Sequence, residues 1–409
     1  MLRLLARVAT IVVFASAVLT CSSHAQSIDW PCWRGPNCDG IAASADPPVR
    51  WSANENIRWR TPVVGTGHSS PIVVGDRVFL TTYDASTEAR VVLAFAAETG
   101  EQLWSTEVLR APEEPMHPNN TPASSTPACD GETIVVTFCE HATYVVAGVS
   151  VDGELRWRRE LGPFVSRHGL HSPPVIDEGS VYLAGLQDDP ASFVAKLEVA
   201  TGEVIWQTIT GTAVRSFSPP HLTTMAGMRC VVVSGASTTT AFNAESGEQL
   251  WRVPGPAEKT VSAICEDGDT LLVAGGRDAQ LLAINCDSLD GDIRWTSSTG
   301  VPYISSPIAH DGSLHMMSDR GVYTRLDTST GELLEKKRLC GPVSASPILA
   351  GGRLYVFDER GKAVVAEPGE RLRVIAENQF DEDVYATPAP LGRSLYVRTA
   401  SGLMRLEAN

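Results

Sequence analysis

An all-β, eight-bladed β-propeller is the fold this sequence predicts, and three observations predict it. A short stretch ending in tryptophan keeps returning along the chain. Apolar, β-rich runs alternate with Gly, Asp and Asn turns, and helical periodicity is nowhere sustained. The last repeat lacks its final strand, and a strand of the right type stands ahead of the first repeat.

The returning stretch reads Ala94-Phe95-Ala96-Ala97-Glu98-Thr99-Gly100-Glu101-Gln102-Leu103-Trp104, and again Ala241-Phe242-Asn243-Ala244-Glu245-Ser246-Gly247-Glu248-Gln249-Leu250-Trp251. A third copy runs from Ala195 to Trp206 through Thr201-Gly202-Glu203. Weaker copies end at Trp157 and Trp295, and two more, at Thr330-Gly331-Glu332 and Pro368-Gly369-Glu370, keep the turn without the tryptophan. Each copy is a hairpin in which Gly takes the left-handed turn position that other residues occupy at a steric cost. A large aromatic at one register position of every unit predicts a packing joint between neighbouring units. Trp59, Trp104, Trp157, Trp206, Trp251 and Trp295 are therefore read as structural docking residues.

Every unit opens on a Ser/Thr/Pro signature followed by a short strand. The openings are Ser69-Ser70-Pro71, Ser125-Thr126-Pro127, Ser172-Pro173-Pro174, Ser218-Pro219-Pro220, Val261-Ser262-Ala263, Ser305-Ser306-Pro307, Ala345-Ser346-Pro347 and Ala386-Thr387-Pro388. A Gly/Asp turn, an apolar strand and the tryptophan hairpin complete each unit, which predicts four strands per blade. The eighth copy stops at its third strand, Leu403-Met404-Arg405-Leu406-Glu407. The segment Asn56-Ile57-Arg58-Trp59-Arg60-Thr61 carries the missing tryptophan strand, so residues near 56–62 are expected to close the ring.

Residues 1–25 have the form of an export signal. Arg3 and Arg7 precede an apolar run from Val8 to Leu19 that is too short to span a bilayer comfortably, and Ser23-His24-Ala25 places cleavage before Gln26. Cys21 offers a rival reading as a lipidated cysteine, but Thr20 fits a lipobox poorly. Residues 26–55 form a Trp-, Pro- and Gly-rich head expected to lie on the surface of the main body, and residues 56–409 form the propeller. The chain has 9 cysteines. In an oxidising compartment Cys32 and Cys38, flanking the loop Trp33-Arg34-Gly35-Pro36-Asn37, are the best disulfide pair. Cys129, Cys139, Cys230, Cys265, Cys286 and Cys340 sit in strand-like contexts, and their pairing is not legible. The net charge of −15 and the lack of a basic run in the mature part exclude nucleic acid as the main partner. No further segment is apolar and long enough to span a membrane, and a monomer is expected.

The repeat resembles that of the quinoprotein-like, tryptophan-docking propellers, whose signature is roughly Ala-x-Asp-x-x-Thr-Gly-x-x-x-Trp. The resemblance covers about residues 56–409. The head motif Trp30-Pro31-Cys32-Trp33-Arg34-Gly35-Pro36-Asn37-Cys38-Asp39-Gly40 is similar to a leader of exported bacterial members. The superfamily includes dehydrogenases that hold pyrroloquinoline quinone (PQQ) with calcium, and non-enzymatic members such as the outer-membrane assembly lipoprotein BamB. The dehydrogenases stack the quinone on a ring made by two adjacent disulfide-bonded cysteines. This chain has no Cys-Cys dipeptide and no Cys-x-x-Cys-His for haem.

Fold alone does not assign function. The loops opening the blades gather around the axis on one face, which places His68, His168, His171, Arg215, Lys259, Tyr303, Asp383 and Tyr385 in a candidate anion- or polar-ligand pocket. His117, Asn119 and Asn120 stand in a longer loop nearby. The alternative is that these residues only satisfy turn backbones. His168-Gly169-Leu170-His171 lacks a third metal ligand, and no Gly-x-Ser-x-Gly elbow marks a hydrolase. The expectation is an exported, non-catalytic binding scaffold of the periplasm or cell envelope with protein partners. The alternatives are a PQQ- and calcium-dependent dehydrogenase with an atypical site, or a binder of sugars or envelope polymers.

Overall fold

The computed structural model describes residues 29–52, 54–276 and 280–408. The export signal, the cleavage before Gln26 and Cys21 lie outside the described residues. The described strands form eight sheets arranged as blades, without a helix among them. Blade 1 is representative, with antiparallel strands Ile72–Val74, Arg77–Asp84, Ala89–Ala96 and Gln102–Arg110 running from the axis outward. Its two middle strands are buried almost throughout, because a neighbouring blade covers each face. Its outer strand alternates between exposed and half-buried residues until its buried end, as a strand covered on one face must.

Closure follows the reading from the chain ends. Ile57–Pro62 pairs antiparallel with Gly402–Glu407, with Trp59 opposite Arg405 and Thr61 opposite Leu403. Blade 8 is thereby made from both ends of the chain, and no blade is left with an unfilled outer position.

The tryptophan hairpins form the joints between blades. The indole Nε1 of Trp59 donates to the Ala97 carbonyl at 3.1 Å, and that of Trp157 to the Val199 carbonyl at 2.9 Å. Trp104, Trp206 and Trp295 repeat this with Val151, Ala244 and Thr328, each at 3.1 Å. Trp251 is buried like Trp157, but its Nε1 has no partner. Each indole also lies flat against the turn glycine of the next hairpin. A Cβ on Gly100 would stand 2.5 Å from the Trp59 ring, and one on Gly247 2.7 Å from the Trp206 ring. The Gly in the repeat is thus required twice, by its positive φ and by the indole of the preceding blade.

The head departs from the expected surface packing. It enters the central channel and plugs it. Trp30 bridges to Val73 on the innermost strand of blade 1, and Pro31 accepts from the Cys129 N–H of blade 2. Arg34, only 1% exposed, donates to the Pro307 carbonyl at the start of the innermost strand of blade 6. Ile41–Ala42 then adds a fifth, parallel strand inside blade 7, against Leu349 and Ala350. The chain leaves toward Trp51, which stacks on Phe357 and Phe380 at 6.1 and 5.9 Å. Trp30 and Trp51 are buried and Trp33 is half-buried, which makes the head part of the core.

Candidate functional site

The eight openings converge on the axis in three successive layers. Serines of the middle layer anchor several openings to their own blades: Ser262 Oγ donates to the Ala274 carbonyl at 2.7 Å, and Ser305 Oγ to the Met317 carbonyl at 2.6 Å. One residue further along, a belt of hydrogen bonds joins the blades. Ser306 N–H donates to Ser346 Oγ at 2.9 Å, Ser346 N–H to Thr387 Oγ1 at 3.0 Å, and Thr387 N–H to Ser70 Oγ at 3.0 Å. Ala263 and Ser70 extend it to Ser306 and Thr126, each at 2.8 Å. The belt stops at blades 3 and 4, where Pro173 and Pro219 have neither hydroxyl nor N–H to offer.

One residue before the serine layer, every blade contributes one side chain to a ring around the axis. Phe217, Val261 and Ile304 of blades 4 to 6 form an apolar arc. Ser344, Tyr385, His68, Ser124 and His171 of blades 7, 8, 1, 2 and 3 form a polar arc. Below the ring a chamber of about 50 Å³ is walled in part by Trp33 from the plug. Above it the funnel widens to about 340 Å³, with His117, Asn119, Asn120, His168, Tyr303 and Glu359 on its walls. That volume lies in the usual range for small-molecule pockets.

Burial holds His68, His168 and His171 toward the neutral imidazole. Burial, with the Arg398 cation next, lowers His68 to about 4. Burial alone lowers His171 to about 4, and its Nδ1 has no partner. His168 is lowered by burial and by Arg215, whose Nε donates to His168 Nδ1 at 2.9 Å. That bond leaves the proton of neutral His168 on Nε2. Rings pair along the walls: His117 stacks on His168 at 5.0 Å and 6°, and His68 meets Tyr385 at 4.9 Å with a tilt of 32°.

His68, His168, His171, Tyr303 and Tyr385 therefore line the funnel together. Arg215, Lys259 and Asp383 stand beside the lining and are engaged. Arg215 forks onto Asp188 at 2.8 and 2.9 Å, Lys259 lies 3.6 Å from Glu258, and Asp383 accepts from Tyr385 Oη at 3.1 Å. Asp381 pairs with Arg60 at 2.9 Å. Phe217, Glu359 and Trp33 were not among the expected residues. Phe217 is apolar and so carries no polar signal, although its position before an opening serine is visible in the sequence. Glu359, which accepts from Ser344 Oγ at 2.6 Å, comes from a loop within blade 7.

The residues of the funnel do not fit PQQ with calcium. The quinone is a tricarboxylate, whereas the funnel wall offers neutral imidazoles, the Glu359 carboxylate and a neighbouring arginine already held by Asp188. No group of three or more candidate metal ligands occurs among the described residues. Cys32 and Cys38 stand with their Sγ atoms 3.3 Å apart, and Cys32 Sγ also donates to the Gly35 carbonyl. The remaining described cysteines are unpaired, and burial raises Cys129, Cys139, Cys265, Cys286 and Cys340 to about 12, which makes them poor nucleophiles.

Comparison with known proteins agrees with this architecture. The family model described as outer membrane protein assembly factor BamB matches residues 49–196 and 190–408. A protein of that name from Burkholderia pseudomallei is 23% identical over 347 residues, covering 81% of this chain and 82% of the relative. The crystal structure of BamB from Moraxella catarrhalis superposes with a TM-score of 0.65 at 13% identity, covering 86% of this chain and 99% of that one. A quinohemoprotein alcohol dehydrogenase from Pseudomonas putida HK5 gives 0.55 at 10% identity, covering 94% and 80%. At these identities the two structures show the fold alone. With the family match spanning nearly the whole described chain, this protein belongs to the BamB family of PQQ-like repeat propellers.

Proposed function

We propose that this chain is an exported, non-catalytic propeller that serves as a protein-interaction scaffold in the cell envelope, working with partners in the assembly of outer-membrane proteins. The observation that carries this reading is membership of a family named for that role, across both halves of the propeller. The architecture supports it physically. A ring closed by its own two ends and plugged along its axis is a rigid body, and rigid bodies present interaction surfaces at low entropic cost. The plug also fills with protein the channel that a larger axial cofactor would need. The test is deletion of the gene in its native host. Reduced levels of folded outer-membrane β-barrel proteins are expected, with restoration by the wild-type copy. Unchanged levels, or substrate-dependent dye reduction by the purified protein supplied with PQQ and calcium, would overturn the proposal.

A further inference from the structure

We infer that the axial funnel is a binding site for a neutral saccharide, with a pyranose ring lying in the ring of opening residues. This goes beyond the scaffold reading and does not depend on it. Three properties of the funnel select the ligand class.

The first is its division into two arcs. Phe217, Val261 and Ile304 line one side, and Ser344, Tyr385 and His68 the other. A pyranose has the matching amphipathic character: apolar C–H faces and a rim of hydroxyls. An all-apolar ligand would leave the polar arc unsatisfied, and a fully charged one would be desolvated against the apolar arc.

The second is the charge state. His68, His168 and His171 are uncharged, Arg215 is committed to Asp188 and His168, and Glu359 is the carboxylate on the wall. Among the described residues the lining carries no lysine or arginine, and the neighbouring Arg215 is already held by Asp188, so an anionic ligand finds no cation there. Glu359 accepts from Ser344 through Oε1, which leaves Oε2 as an acceptor for a sugar hydroxyl. Neutral imidazoles suit the same partner, since each offers one donor and one acceptor. His171 Nδ1, buried and without a partner, is such a group.

The third is the set of flat surfaces. The stacked His117–His168 pair, parallel to within 6°, presents a flat imidazole face above the ring, and Phe217 lies 5.9 Å from His168. Flat aromatic walls beside hydroxyl-binding groups are what a sugar ring requires, because the C–H face stacks while the rim bonds. Below, the chamber of about 50 Å³ has room only for water, so the ring of openings is the floor on which a ligand rests.

The experiment is a titration of the purified mature protein with cellobiose, maltose and chitobiose. Binding is followed by saturation-transfer NMR and by tryptophan fluorescence, which Trp33 in the chamber wall makes sensitive to the funnel. Digalacturonate serves as the anionic counterpart. Saturable binding of at least one neutral disaccharide is expected, with digalacturonate at least about tenfold weaker. Tyr385→Ala should weaken binding about tenfold, on the scale of a lost aromatic contact. His117→Ala, on an exposed loop position where folding is not at risk, should weaken it severalfold at an unchanged melting temperature. The inference is overturned if none of the three sugars saturates the protein, if digalacturonate binds as tightly as the neutral sugars, or if the His117→Ala protein retains wild-type affinity. Loss of sugar binding with intact outer-membrane assembly would separate this site from the scaffold function.

Discussion

Gly202 shows what the repeat demands of a single residue. Its φ of +68° and the Trp157 ring packed directly over it leave no room for a methyl group. Gly202→Ala should destabilise the protein by about 2–4 kcal/mol, the sum of left-handed strain and overpacking. Gly75→Ala is the matched comparison, because Gly75 has a φ of +58° with nothing within 4 Å. It should cost only about 1 kcal/mol, and urea melts of the two variants measure the difference. His315 supplies a second test. It is 3% exposed, its Nδ1 lies 2.8 Å from Tyr323 Oη, and burial lowers it to about 4. The unfolded chain takes up this proton near pH 6.5, while the folded protein resists until about pH 4. Stability is therefore complete above pH 6.5 and falls as pH drops toward 4, by at most about 1.4 kcal/mol per pH unit for this group. His68 and His171 add to the same slope. His315→Gln should flatten it, as followed by melting temperature between pH 4 and 7.

Among the elements, the closing strand and the plug tie the two ends of the chain into one body. Both were visible in composition, but only the closing strand could be placed from the sequence. Its tryptophan matched the repeat, so its partner followed by elimination. The plug carries no repeat, and nothing in Trp30-Pro31-Cys32-Trp33 says whether it lies on a surface or inside a channel. Its location is set by contacts with blades 1, 2, 6 and 7, which exist only once the ring has formed. The adjacency of Cys32 and Cys38 gives an element-scale prediction. Protein isolated from an oxidising compartment should carry these two as a disulfide and be lighter by two hydrogens, with the other six described thiols free after unfolding. Replacing both by serine should leave the propeller folded and make the head more susceptible to limited proteolysis, read as faster cleavage within residues 29–45.

At the scale of the molecule, the plug and the belt turn a ring into a closed funnel. The funnel mouth is polar, largely neutral and partly acidic, so a tricarboxylate such as PQQ should show no saturable binding in a calorimetric titration with calcium present. One-site binding would revive the dehydrogenase alternative. Much of the funnel was legible in principle. All eight ring residues occupy the position before an opening serine or alanine, so an alignment of the openings finds Ser124, Phe217, Val261, Ile304 and Ser344 alongside His68, His171 and Tyr385. Charge alone points to Arg215 and Lys259, which stand beside the lining. Residues such as Glu359 were beyond reach, because they come from loops inside a blade whose approach to the axis depends on strand length and twist.

The blade count, the four-strand unit, the tryptophan joints and the closing strand are all written in the linear chain. These are local patterns repeated with a fixed period, and a repeat constrains each unit by its immediate neighbours. Which charges are free is a property of the folded ring. Whether Arg215 faces a ligand or Asp188, whether a histidine is charged, and whether the head covers the propeller or fills it all depend on groups far apart in the chain. Desolvation and pairing of those groups follow from the closed ring, and no window of sequence contains them.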